Sequence, residues 1–64
     1  MNGAIIMSVE TKVDELIELL TAAKVDAAKH DKGVNAAGTR VRKTMQSIKS
    51  AAQDVRKQVQ ADRS

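Results

Sequence analysis

Four basic residues, Arg42, Lys49, Arg56 and Arg63, recur every seven residues. Seven residues are nearly two helical turns, so on an α-helix all four lie along one side. The row covers roughly 31 Å at ~1.5 Å per residue, close to the length of about nine base pairs at ~3.4 Å each. Lys43 and Lys57 lie beside it, and Arg40 lies nearer its N-terminal end. Thr44, Ser47 and Ser50 add hydroxyls able to bond phosphate oxygens, while Asp54 and Asp62 interrupt the positive charge on other faces. The chemistry such a row offers is contact with a regularly charged polyanion. The same spacing also serves a coiled coil, whose flanking bases pair with acids of a neighbouring helix.

Catalytic chemistry has little to work with. Cys is absent, so no thiol nucleophile, thiolate metal site or disulfide is possible. The single histidine, His30, has only Asp31 beside it, and one His per chain excludes a multi-His metal site. Asp14, Glu15 and Glu18 can approach one another on a helix, an arrangement that reads as a solvated face rather than an acid–base pair. Gly3, Gly33 and Gly38 match no phosphate-loop spacing. The expectation is a non-enzymatic protein with no cofactor, no metal and no small-molecule substrate. Phe, Tyr and Trp are also absent, which argues against stacking on unpaired bases and against an aromatic membrane anchor. The longest apolar run near the start, Ala4 to Met7, is too short for a signal or a membrane span.

Two elements must position the basic row. Val9, Val13, Leu16, Leu20, Ala23 and Ala27 step by alternating fours and threes, and so do Val41, Met45, Ile48, Ala52, Val55 and Val59. This is the seam pattern of packed helices. Ile17 and Leu19 widen the first seam, and Val34 and Ala37 extend the second. Ser8 suits an N-cap, Glu10 a first turn, and Lys29 and His30 a last turn. Gly33 can close the helix in a left-handed conformation, and Asn35 can cap the next one. The expected layout is a disordered tail at 1–7 and one domain at 8–64, with helix 1 at about 8–30, a turn at 31–34 and helix 2 at about 35–61. The fold class is all-α, an antiparallel, coiled-coil-like two-helix hairpin. At 64 residues, without disulfide or metal, one core is short of independent stability. Two hairpins dimerising into a four-helix bundle, or a higher even oligomer, would supply the rest.

Charge divides at the turn. Residues 1–30 carry Glu10, Asp14, Glu15, Glu18 and Asp26 against Lys12, Lys24 and Lys29. Residues 31–64 carry Asp31, Asp54 and Asp62 against Lys32, Arg40, Arg42, Lys43, Lys49, Arg56, Lys57 and Arg63. The formal net charge of +3 conceals a second half that is strongly basic, and such asymmetry points to an anionic partner.

The run Lys32-Gly33-Val34-Asn35-Ala36-Ala37-Gly38-Thr39-Arg40-Val41-Arg42 resembles a K-G-x-x-A-A-x-x-R-x-R signature of the histone H1-like proteins first known from chlamydiae. The following Lys43-Thr44-Met45-Gln46-Ser47-Ile48-Lys49 is similar to that family's basic, Ser-containing helix. The resemblance covers roughly residues 9–60. Chlamydial members add a long Lys/Ala/Pro-rich tail that binds much of the DNA, and this chain looks like the short, tail-less kind found in other bacteria and in large DNA viruses. Helix 1 is more acidic than the resemblance leads one to expect.

The resemblance implies a helical, histone-like architectural protein of the nucleoid, or of a virion, that binds double-stranded DNA without sequence preference. Carried over by position, Lys32, Arg40, Arg42, Lys43 and Lys49 would contact DNA phosphates. The seven-residue row adds Arg56, Lys57 and Arg63. The expected location is cytoplasmic and nucleoid-associated, away from membranes. The alternative is a small coiled-coil hairpin that assembles proteins without nucleic acid, its helix 2 bases paired with Glu10, Asp14, Glu18 or Asp26.

Overall fold

The computed structural model describes residues 8–63, so the expected tail at 1–7 lies outside the described residues. Two helices make up the fold, α1 (Val9–Asp31) and α2 (Asn35–Arg63), and no strand occurs among the described residues. They pack against each other as an antiparallel hairpin. The fold is all-α, as the two seam patterns require.

Each boundary has a local cause. Ser8 has an extended backbone, and its hydroxyl oxygen accepts the Thr11 N–H at 3.2 Å. That bond satisfies one of the first-turn donors that the helix itself leaves unpaired. At the other end the Gly33 N–H donates to the His30 carbonyl at 2.9 Å, and the Val34 N–H reaches back to the Lys29 carbonyl at 3.0 Å. These two bonds, with Gly33 at φ +98°, form a Schellman closure of α1. α1 runs to Asp31 and α2 to Arg63, beyond the expected His30 and Ala61. Asn35, expected as a cap, is already helical. The cap position falls to Val34, whose carbonyl accepts the Ala37 N–H at 3.1 Å.

Burial is deepest at one residue of each helix. Ala23 and Ala37 are the buried residues, and Ala37 is wholly so. Small side chains here let the two backbones approach. Farther along, Leu16 and Leu19 of α1 and Val41, Ile48, Ala52, Val55 and Val59 of α2 are half-buried. The seam therefore differs from the expected one at specific positions. Val13 and Leu20 face outward on α1, and Leu19 takes the inward place assigned to Leu20. Met45 is exposed on α2, and Thr44 is half-buried in its stead. α1 has apolar residues over so wide an arc that turning it by about half a residue step, roughly 50°, keeps Leu16 and Ala23 inward and exchanges Leu20 for Leu19.

Gly38 also acquires a reason. A Cβ there would stand 2.5 Å from His30 Nδ1 and 3.0 Å from Cε1. What approaches Gly38 is thus a side chain of α1. The imidazole of the last turn of α1 lies against the first turns of α2, and a Cβ at position 38 would require it to shift.

Candidate nucleic-acid interface

All eight expected contact residues, Lys32, Arg40, Arg42, Lys43, Lys49, Arg56, Lys57 and Arg63, are exposed. Seven of them lie on α2 and Lys32 caps α1. α2 is continuous and unbent by proline from Asn35 onward, so the seven-residue spacing becomes a real ridge: Arg42, Lys49, Arg56 and Arg63 follow one another along one flank.

The eight are not equivalent. Arg40 Nε donates to Asp26 Oδ1 at 3.0 Å, across the hairpin. Arg40 thereby ties α2 to α1 on the flank away from the ridge, with part of its charge neutralised. This is the one ion pair among the described residues. Within one chain, the ridge cations have no acidic partner among the described residues. Arg56 Nη1 leans on Gln53 Oε1 at 3.3 Å, an uncharged neighbour one turn back. Asp62 is engaged by Gln58 Nε2 at 2.7 Å, and Asp54 falls on the same flank as Arg40.

The hydroxyls sort differently from expectation. Thr44 is half-buried in the seam and Ser47 lies on the Arg40 flank, so neither stands beside the ridge. Ser50 lies in line with Lys43 and Lys57, seven residues or about two turns from each. A polar row missed at first takes their place: Thr39, Gln46, Gln53 and Gln60 also recur every seven residues. They run between the Arg42–Arg63 ridge and the Lys43–Ser50–Lys57 row. The signal was present in the spacing, but it is carried by neutral side chains. Thr39, Arg42, Lys43 and Gln46 line a shallow depression of about 280 Å³ on this surface. His30, Asn35, Gly38, Thr39, Val41 and Arg42 line another of about 360 Å³ at the turn. Both are open to solvent, and Thr39 and Arg42 line both of them.

Chemically, this face can do one thing well: place long cations and amide donors along a charged backbone. Among the described residues no group of three or more His, Asp or Glu side chains is arranged to hold a metal ion, and no helix is long and apolar enough to cross a membrane.

The comparison with protein families decides the lineage. The family model for histone H1-like protein Hc1 matches residues 10–64, nearly the whole chain. The chain belongs to the histone H1-like Hc1 family. No curated protein and no solved structure matches it. Membership in the Hc1 family makes this a histone-like, DNA-binding, nucleoid-type protein at the coarse level. The hairpin in turn gives the family signature a structural meaning. Lys32-Gly33 closes α1, Ala37 is buried, and Arg40 ties the two helices together. Of the signature's charged positions, Arg42 is the one that opens onto the ridge.

Proposed function

We propose that this protein binds double-stranded DNA without sequence preference and acts as an architectural, histone-like component of a nucleoid. The reading rests on one observation: the Arg42–Lys49–Arg56–Arg63 ridge is exposed along ~31 Å of straight helix, with no acidic partner among the described residues. Lys43 and Lys57 reinforce it from the next row, and Lys32 extends it at the turn. Arg40 contributes less, because Asp26 holds it. Phosphate contacts of this kind fix position on a duplex and carry no base information. The helix also presents no aromatic side chain to wedge between bases.

The hairpin further self-associates in this reading. Its seam is narrow, and Val13, Ile17, Leu20 and Met45 remain exposed, so a single chain leaves apolar surface for a second copy to cover. Two or more hairpins would then set several ridges on one particle, a form of multivalency that raises avidity without new contacts.

Fluorescence anisotropy with two unrelated duplexes of about 20 base pairs, across a salt series, is the direct test. The expected result is equal affinity for both, with log affinity falling linearly against log salt at a slope of about −4 to −5, for some four to six neutralised phosphates. No binding at low salt would overturn the proposal and leave the ridge to protein assembly.

A further inference from the structure

Beyond the inward seam, α1 carries a second row on its outer flank: Glu10, Val13, Ile17, Leu20 and Lys24. The steps are three, four, three and four, again those of a helix–helix seam. Its apolar members are exposed by 39%, 54% and 51% in chain order. The Asp26–Arg40 pair closes the other flank of the hairpin, so nothing described covers this row. Glu10 and Lys24, at its two ends, are held by no other described residue.

The order of charges selects both occupant and orientation. The row is apolar at its centre, negative at its N-terminal end and positive at its C-terminal end. Turned end for end about Ile17, it is complementary to itself: Glu10 meets Lys24 of a second copy at both ends, and Val13 meets Leu20. A parallel pairing would instead set Glu10 on Glu10 and Lys24 on Lys24. Within one chain the two charges stand roughly 21 Å apart along the helix and cannot meet.

We infer that this row is the dimer contact: two copies of the hairpin pair antiparallel through α1, centred on Ile17, with reciprocal Glu10–Lys24 ion pairs. The inference deepens the self-association proposed above by naming its face and polarity. It also keeps Lys49 and Arg56 out of the contact. A closed bundle with α1 of one copy lying on α2 of the other would cover those cations and desolvate them, which is costly. The contact is small, three apolar residues from each side, so the dimer forms in rapid exchange rather than as a permanent unit.

Sedimentation equilibrium of the full chain without DNA, from micromolar to millimolar concentration, reads the dimer independently of any DNA result. Glu10→Lys and Lys24→Glu, each alone, should weaken the dimer about tenfold, since each turns two attractive contacts repulsive. The double exchange should restore it to within about threefold of the original. Ile17→Glu should abolish it while the circular dichroism spectrum stays helical. Three outcomes overturn the inference. A dimer that Lys24→Glu strengthens would mean that α1 lies on the basic α2 of its partner. Single exchanges without effect would place the contact elsewhere. A monomeric chain destabilised by Ile17→Glu would mean that the row is covered from within the same chain. Because the readout contains no DNA, a chain that dimerises as inferred but fails to bind a duplex would leave this contact standing and remove only the DNA reading.

Discussion

At the scale of single residues, the turn concentrates most of the information. Gly33 sits at φ +98° with open space around its Cβ position, so an alanine there meets no clash and is disfavoured only by its backbone. Gly33→Ala should cost about 1–2 kcal/mol, read as a lower urea midpoint with an unchanged slope. Gly38 is the opposite case. Its backbone is ordinary helix, and the obstacle is the exposed ring of His30. In a His30→Ala background, Gly38→Ala should stabilise by about 1 kcal/mol, the full helix-propensity gain. With His30 present the gain should be smaller, and the shortfall measures what it takes to displace the ring. Equal gains in both backgrounds would show that the imidazole does not occupy that place in solution.

At the scale of the elements, α1 and α2 divide the labour. α1 supplies wide apolar surface and most of the acids, whereas α2 supplies a narrow seam and the ridge. Ala23 and Ala37 are their buried residues. Ala37→Leu should destabilise by about 1–3 kcal/mol through overpacking, visible as a drop in Tm. Removing ridge cations should leave Tm within experimental scatter, since exposed charges contribute little to stability. Arg40→Ala belongs between these cases. It removes a half-exposed ion pair worth at most about 1 kcal/mol and should change DNA affinity less than Arg42→Ala does.

For the whole molecule, the decisive quantity is the number of phosphates that one particle neutralises. Replacing Arg42, Lys49 and Arg56 together with alanine should reduce the magnitude of the salt slope by about 2–3, at ~0.9 per lost contact. Helicity and the α1-mediated dimer should persist. A triple variant that loses affinity without any change in slope would mean that the ridge acts through folding rather than through phosphate contact.

Much of this was legible in the linear chain, because helices are local objects. Ser8, Gly33 and the three–four stepping of apolar residues specify two helices and a tight turn, and a turn that short forces the helices antiparallel. The seven-residue recurrence of Arg42, Lys49, Arg56 and Arg63 specifies a basic edge on any straight helix, whatever it packs against. Tertiary structure decided how each helix is rotated about its own axis. α1 holds two overlapping apolar rows, one through Leu16 and Leu19 and one through Val13, Ile17 and Leu20, and the sequence contains no local signal to choose between them. The choice shows in the burial of Ala23 and Ala37 and in the reach of Arg40 to Asp26, fourteen positions away, which exist only once the hairpin has closed. That rotation brought Arg40 within reach of Asp26 and left the second row facing outward.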